Sequence, residues 1–458
     1  MAWFGKKALF GKKKLNREID FINNPIGALY RRLLPSAIGS LLTSTVASMI
    51  DVAILSYYLG TDMLAVVGFC MPVYMLVNTL GMLIASGAAT LYSQYLGEDN
   101  KTEAMRFFSA SVTHTVACGV ILTLCGLLLT DPIVKLLGAG GSLAEPTTEY
   151  LRVLFFFMTP LMVYVHLLFF VRIDSDSTRV LIATIVCAVT NLGLDILFVG
   201  PLGMGPKGAA IATCLAYTMG MAVNLGHFRH KRNTLRWMKG CLKGRSLRIW
   251  RVGLPLAAAQ LGMTVSTNVF NNVIVRVGGE NYISVLTAII QLSMTSMAIY
   301  DGVGQAALPI MAAASGARLR DRIIKVFRYG VRLELIGTVG LAAVYAVLAG
   351  PIAGIFSIRD GDLLQLAVSG FRIYALSIPF IGLNSIMMYY FQAQEKTVRA
   401  LVISLLSGSV LLIASLLVLT ALFHERGIWF SWVAGQALTL VISATLFWQS
   451  QKGKKVTA

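Results

Sequence analysis

The chain has 458 residues, of which 56% are hydrophobic and 13% charged, and its formal net charge at pH 7 is +18. A soluble domain carries about 25% charged residues, so this composition excludes an ordinary soluble protein. Apolar runs of roughly 20 residues, enough to cross a bilayer as a helix, recur along most of the chain. The sequence therefore predicts an all-α membrane protein.

Apolar runs separated by polar turns divide the chain into twelve predicted transmembrane helices. They cover residues 33–59, 63–96, 103–129, 146–171, 180–199, 206–228, 249–277, 281–313, 322–349, 365–391, 397–421 and 427–449. The predicted domains are a basic N-terminal tail (1–32), an N-terminal six-helix lobe (33–228), a basic linker (229–248), a C-terminal six-helix lobe (249–449) and a C-terminal tail (450–458).

The positive charges lie mostly on one side of these predicted helices. With the N-terminus in the cytoplasm, 31 of the 39 Lys and Arg residues fall on the cytoplasmic side. The positive-inside rule then predicts a multi-pass protein of the bacterial inner membrane with both termini cytoplasmic. The excess of Lys and Arg is therefore explained by membrane topology and by attraction to the lipid bilayer. We expect no nucleic-acid partner.

Prolines recur at a nearly constant distance and indicate an internal duplication. Pro35 matches Pro255 at a distance of 220 residues, and Pro160 matches Pro379 at a distance of 219. Each half has six predicted helices, so both halves enter the membrane from the same side and form a parallel repeat. Two such lobes predict a central cavity about which they can rock.

Ionisable side chains inside apolar helices are costly and mark candidate functional sites. In the first half, Asp51 in the first helix and Asp195 in the fifth helix lie at similar depths, and Asn191 precedes Asp195 by one helical turn. Thr213 lies in the same layer on the sixth helix. These oxygens suit a cation such as Na⁺, and two neighbouring carboxylates suit a proton. A local structural role of Asp51 or Asp195 is the alternative.

The second half contains three charged residues within predicted helices: Asp301, Arg332 and Glu334. They share a predicted depth, so an internal ion pair is the first interpretation of this polar cluster. A contact with substrate or a second proton site is the alternative. The sequence contains neither a nucleotide phosphate-binding loop of the Walker type nor paired metal-ligating histidines. We therefore expect no enzyme activity, no cofactor and no metal other than Na⁺.

Five short segments carry recognisable motifs: Asn191 to Phe198, Gly203 to Gly205, Gly208 to Thr213, Ile50 to Gly60 around Asp51, and Gly302 to Ile310. Together they resemble the multidrug and toxic compound extrusion (MATE) family. The resemblance covers nearly the whole chain and implies that Asp51, Asn191, Asp195 and Thr213 form the cation or proton coupling site. Two features depart from the pattern of the family. One is the serines in the loop from Arg172 to Ser177, and the other is the absence of an acid from the seventh helix and from the core of the tenth helix.

The resemblance implies a secondary active multidrug efflux antiporter that exchanges H⁺ or Na⁺ for lipophilic, often cationic compounds. Its partners would be small drug-like molecules and the lipid bilayer, and we expect it to act as a monomer. The alternative is a flippase or exporter of a lipid-linked or polar metabolite on the same architecture.

Overall fold

The structure of the protein is a computed structural model, which describes residues 19–231, 233–279, 281–356, 358–359 and 361–452. The predicted basic tail therefore lies largely outside the described residues, as do the last residues of the C-terminal tail. All regular secondary structure in the described part is helical, mostly in long helices joined by short turns.

The described residues of the N-terminal half form six long helices. They are α1 (Ile26–Gly60), α2 (Met63–Gly97), α3 (Lys101–Leu128), α4 (Gly141–Phe156 and Met158–Ile173), α5 (Ser177–Val199) and α6 (Gly205–Leu225). A short helix, Thr130–Leu136, lies between α3 and α4. Gly60 separates α1 from α2 with φ of 70° and ψ of 179°, a backbone conformation that glycine adopts without a steric penalty.

The C-terminal half repeats this order in its described residues. Its long helices are α7 (Ser246–Gly278), α8 (Asn281–Gly316), α9 (Arg320–Val347), α10 (Gly361–Gln392), α11 (Thr397–Phe423) and α12 (Glu425–Lys452). A short helix, Ala349–Ile355, again lies between the third and fourth members. The described part of α11 is interrupted by a π-helical segment, Leu406–Val410.

Ten of these helices are long and apolar enough to span a membrane, and the bent helix α4 makes eleven. Helix α7 corresponds to the seventh predicted helix. It has 33 residues and completes the set of twelve. Its polar side chains, including Asn268 and Asn272, lower its hydropathy. The prediction of an all-helical membrane protein with two homologous six-helix lobes is confirmed.

Helix α4 is bent by 52° at Phe157. Pro160 follows the break, and a proline ring clashes with the carbonyl group four residues earlier, here that of Phe156. Its counterpart Pro379 lies inside the single helix α10. The matched prolines therefore mark equivalent positions without producing the same bend.

The duplication is also visible in the turns that end equivalent helices. Asp99 after α2 and Arg318 after α8 have φ values of 58° and 57°. Ser175 after α4 and Glu395 after α10 have φ values of 72° and 54°. Such left-handed conformations are uncommon for residues other than glycine, so their recurrence in four equivalent turns indicates a repeated backbone.

The two lobes meet at the end of the bundle that carries residues 229–245, which we call the linker end. A Cβ atom added to Gly97 on α2 would overlap the carbonyl oxygen of Ala313 on α8, and one added to Gly316 would overlap that of Gln94. Gly97 and Gly316 are 219 residues apart, so the contact is two-fold and self-complementary. Two glycines thus allow the backbones of the lobes to touch.

Hydrogen bonds between the lobes lie at the same end. The Nη1 atom of Arg172 donates to Oε1 of Gln305 at 2.8 Å, and Nε2 of Gln94 donates to the carbonyl oxygen of Ala393 at 2.9 Å. The hydroxyl group of Tyr30 donates to the carbonyl oxygen of Val326 at 3.1 Å. Polar and backbone contacts together hold the lobes closed at the linker end.

Candidate functional site

The structure brings together the four residues predicted in the N-terminal lobe. Asn191 Nδ2 donates to Asp195 Oδ2 at 2.7 Å and lies 3.4 Å from Thr213 Oγ1. The carboxyl group of Asp51 on α1 is within hydrogen-bonding reach of that of Asp195 on α5. The site therefore joins α1, α5 and α6, and its role remains a prediction.

The carboxyl pair is poor in other hydrogen-bond partners. Among the described residues, Oδ1 of Asp51 and Oδ1 of Asp195 are both buried without a partner. The Asp195 residue is 0% exposed, whereas Asp51 is partly exposed. Two carboxyl groups can share a hydrogen bond only if one of them carries a proton. The arrangement can therefore hold a proton between α1 and α5.

Tyrosines that are not among the predicted site residues surround this pair. Tyr150 on α4 is close enough to interact electrostatically with both Asp51 and Asp195. Tyr74 on α2 also interacts with Asp51, and its hydroxyl group bonds that of Tyr217 on α6. Tyrosines within apolar helices were the available signal, because a buried hydroxyl group needs a polar partner.

In the second lobe, the predicted cluster of three is reduced to a pair of acids. Asp301 and Glu334 lie close enough to interact electrostatically, on α8 and α9 respectively. Arg332 is exposed and forms no ion pair with either acid in the described structure. Residues two apart on an α-helix point to nearly opposite sides, so Arg332 faces away when Glu334 faces inward. The expected internal ion pair is therefore wrong for Arg332.

A cavity of about 130 Å³ opens beside Asp301 inside the C-terminal lobe. Its wall contains aromatic and methionine side chains from α7, α8, α10 and α12, and Asp301 is the charged residue among its described lining. The aromatic and methionine members are Met263, Phe270, Met297, Tyr300, Tyr374, Met388 and Trp432. The cavity is thus mostly apolar with one carboxyl group.

A histidine at the linker end is held between two acids. His227 is 0% exposed, with Nε2 2.7 Å from Asp174 Oδ2 and Nδ1 3.1 Å from Asp176 Oδ2. Thr234 in the linker also bonds Asp174 through its backbone N–H group at 2.9 Å. These contacts fasten the linker and the end of α6 to the loop between α4 and α5.

In the described part of the chain, His, Cys, Asp and Glu side chains form no group of three or more that could hold a metal ion. The six cysteines are free thiols. Any Na⁺ at the N-terminal site would rely on Asp51 and Asp195 together with the neutral oxygens of Asn191 and Thr213.

Two homologous six-helix lobes, joined at one end and containing buried carboxyl groups, define a two-lobed membrane transporter. The MatE family model matches this chain twice, over residues 35–197 and 255–417. The chain belongs to the MatE family, the MATE transporters. The two matches begin 220 residues apart, the same distance that separates Pro35 from Pro255.

Two relatives match this chain over nearly its full length. The chain is 24% identical over 444 residues to the probable multidrug resistance protein YoeA of Bacillus subtilis, covering 93% of this chain and 94% of YoeA. It is 22% identical over 411 residues to the multidrug export protein MepA of Staphylococcus aureus, covering 88% and 89% of the two chains.

A solved structure has the same fold. An outward-facing multidrug resistance MATE family transporter of the MOP superfamily aligns with a TM-score of 0.89 and 22% sequence identity. The alignment covers 95% of this chain and 98% of that one. At this level of identity the likeness establishes the architecture and leaves the chemistry of each site to its own residues.

Proposed function

We propose that the protein is a secondary active multidrug exporter that exchanges H⁺ or Na⁺ for lipophilic, often cationic compounds. The names of its relatives YoeA and MepA support multidrug export. The contact between the carboxyl groups of Asp51 and Asp195 is the observation that carries the proposal of ion coupling. Binding a cation there removes negative charge from inside the lobe, and this lets α1 and α5 pack differently.

The hydrogen bonds of Asn191 are compatible with a proton at this site. Its amide nitrogen, a donor, faces Asp195 and Thr213, whereas Na⁺ is coordinated by oxygen atoms. Coordination of Na⁺ would require this amide to turn its oxygen inward. A proton needs no such change, because it can sit between the two carboxyl groups.

Transport in everted membrane vesicles tests the coupling ion directly. Export from the cell corresponds to dye uptake into an everted vesicle. Uptake of a fluorescent cationic dye should follow an imposed pH gradient, and a Na⁺ gradient should drive it only if Na⁺ is the coupling ion. The matched control is Asp131→Asn, because Asp131 is an exposed acid of the same lobe that pairs with Arg152 at 3.4 Å. Dye movement insensitive to both gradients would contradict ion-coupled antiport.

We place the protein in the bacterial inner membrane with both termini and the linker end in the cytoplasm. The excess of Lys and Arg in the linker supports this orientation. Reporter fusions at Lys239 and Gly361 should report opposite sides, since Lys239 is in the linker and Gly361 begins α10 at the other end. Fusions on the same side would contradict the proposed topology.

The alternative of a flippase or exporter of a lipid-linked or polar metabolite finds no support in the C-terminal cavity for the case of an anionic metabolite. Its described lining contains Asp301 and lacks Lys and Arg. An anionic headgroup would need basic side chains to replace its lost hydration. The proposed transport requires the sites of only one chain and is therefore compatible with a monomer.

A further inference from the structure

We propose that the C-terminal lobe contains a separate binding site for one monovalent aromatic cation, with Asp301 as its counter-ion. This inference rests on the proposed function, because it assigns a place and a charge to the exported compound. The site lies in the cavity between α7, α8, α10 and α12, distinct from the carboxyl pair of the N-terminal lobe.

Asp301 is positioned to meet a charge in the cavity. Its carboxyl group lies at the cavity wall, and its Oδ1 accepts a hydrogen bond from Ser385 Oγ at 3.2 Å. A carboxylate has about four acceptor positions, so one hydroxyl group leaves it with capacity for a ligand. In a mostly apolar cavity, a cation beside this carboxylate gains much more Coulomb energy than it would in water.

The remaining wall suits a flat apolar ligand. Trp432 packs on Phe270 with ring centroids 4.0 Å apart and meets the edge of Tyr374 at 6.0 Å. Methionines at 263, 297 and 388 complete the wall with flexible, polarisable side chains. Aromatic faces attract cations and stack on planar rings, so the lining matches the carboxylate in its preference for an aromatic cation.

The π-helical segment of α11 shapes one side of the cavity. Ser407 and Gly408 lie in this segment and line the wall. Ser266 Oγ donates to the Gly408 carbonyl oxygen at 2.7 Å, and Gln436 Nε2 donates to that of Ser407 at 2.9 Å. These hydrogen bonds satisfy backbone carbonyl groups that the π-helical segment leaves exposed. Asp301 therefore remains the charged acceptor in the described lining of the cavity.

Glu334 lies behind Asp301 and fixes the charge of the site. It is 0% exposed, and neither of its carboxyl oxygens has a hydrogen-bond partner among the described residues. Its Oε2 would lie 3.1 Å from a Cβ atom built on Gly382, so it packs against the bare backbone of α10. A buried carboxylate without partners is far more costly than a buried carboxylic acid.

Within the part of the chain that the structure describes, the groups that interact with Glu334 carry no positive charge. The titratable side chains that interact with it from neighbouring helices are Tyr30 on α1, Tyr300 and Asp301 on α8, and Tyr389 on α10. Arg172 acts on Tyr389 and donates to Gln305. We therefore assign the neutral form to Glu334 and a single negative charge to the pair, which matches a monovalent cation.

Ethidium binding to the purified full-length protein in lipid nanodiscs tests this assignment. Equilibrium dialysis at about pH 8 should show that Asp301→Asn weakens ethidium binding by about tenfold or more, because a desolvated cation loses its opposing charge. Asp362→Asn is the matched control, because Asp362 is an exposed acid in the first turn of α10, and it should bind ethidium within about threefold of the wild-type affinity. Glu334→Gln tests the assigned neutral form, because an amide has nearly the shape of a carboxylic acid, and it should lose much less affinity than Asp301→Asn.

Two further measurements keep the test independent of the folding of Asp301→Asn. Bound ethidium should quench Trp432 fluorescence, so Trp432→Phe should lose much of the quenching while still binding ethidium in dialysis. Propidium, the dicationic relative of ethidium, should bind more weakly. Near-wild-type ethidium binding by Asp301→Asn, unchanged quenching in Trp432→Phe, or equal losses in Glu334→Gln and Asp301→Asn would overturn the inference.

Failure of this inference can be separated from failure of the proposed antiport. Asp195→Asn should retain ethidium binding in the C-terminal lobe while losing transport driven by a pH gradient. If Asp195→Asn instead transports normally, the antiport proposal fails and the cation site stands. If Asp195→Asn abolishes ethidium binding and Asp301→Asn preserves it, the cation binds in the N-terminal lobe and the inference is wrong.

Discussion

The two lobes share a backbone plan but differ in how they arrange their acids. In the N-terminal lobe, the carboxyl groups of Asp51 and Asp195 lie within hydrogen-bonding reach of each other, and Asn191 donates to Asp195. In the C-terminal lobe, Asp301 lines a cavity and Glu334 is buried behind it. The first arrangement can share a proton between helices, whereas the second presents one carboxyl group to a ligand.

The acids of one lobe have no acidic counterparts in the other. The residue 220 positions after Asp51 is Asn271, and the residue 219 positions before Asp301 is Met82. The repeated turns and the paired glycines show that the scaffold stayed equivalent. Duplication therefore supplied two similar frames, and separate substitutions gave each its own charged site.

The largest expected effect separates transport from binding. Asp195→Asn and Asp51→Asn should each reduce efflux by about tenfold or more, because a neutral amide cannot carry the intramembrane charge that binds the coupling ion. Vesicle dye-efflux rates at matched expression measure this. Full efflux from either variant would remove that carboxyl group from the coupling mechanism.

A second expected effect concerns competition between the coupling ion and the exported compound. If cation binding at Asp51 and Asp195 favours one conformation, dye affinity should fall as the pH is lowered from about 8 to 5.5, and dye should weaken cation binding by the same factor. Asp195→Asn should reduce the pH dependence of dye affinity. Any remaining pH dependence that Asp301→Asn removes arises from the second lobe. Dye affinity independent of both pH and Na⁺ would exclude the competitive mechanism.

A third effect should be the same in both lobes because it depends on the shared scaffold. Gly97→Ala and Gly316→Ala should each lower the free energy of unfolding by about 1–3 kcal/mol, since a Cβ atom would overlap a carbonyl group of the opposite lobe. Gly340→Ala is the control, because open space surrounds that position on α9. Its expected effect is a gain of about 0.5–1 kcal/mol from helix propensity.

Thermal unfolding of the purified protein, followed by intrinsic fluorescence, measures all three glycine variants. Equal losses for Gly97→Ala and Gly316→Ala would support the two-fold contact. If both variants matched Gly340→Ala in stability, the close backbone contact at the linker end would be wrong.

The last comparison concerns two equivalent loops, and one of them contains the residue with the smallest expected effect, Glu395. Burial opposes ionisation of Asp176, but hydrogen bonds from His227 and Arg179 hold the pKa of its carboxyl group below the usual range. Glu395 in the matching loop of the other lobe pairs with Arg248 at 2.9 Å and is more exposed. Asp176→Asn should cost about 1.5–3 kcal/mol, and Glu395→Gln about 0–1 kcal/mol.

The pH dependence of the Asp176 contribution has a definite sign. Because the folded-state pKa of this carboxyl group is lowered, its stabilisation is present above its unfolded pKa of about 3.9 and is lost as the pH falls further. The melting temperatures of wild type and Asp176→Asn should therefore differ at neutral pH and converge in acid. A difference that persists unchanged at about pH 3 would contradict this assignment.

Patterns within single helices were readable from the sequence. Apolar runs located the transmembrane helices, and matched prolines indicated the duplication. The spacing of four residues placed Asn191 next to Asp195, and the structure has that hydrogen bond at 2.7 Å. These features depend on helix geometry and on the cost of exposing polar groups to lipid, both of which act locally along the chain.

Relations between helices were decided only by the tertiary structure. Packing set the rotation of α1 and α5 that joins Asp51 to Asp195, and it turned Glu334 inward while Arg332 faced outward. It also placed His227 between Asp174 and Asp176, which are more than 50 residues earlier in the chain. Sequence spacing gives depth along a helix, whereas the direction in which a side chain points depends on contacts with helices distant in sequence.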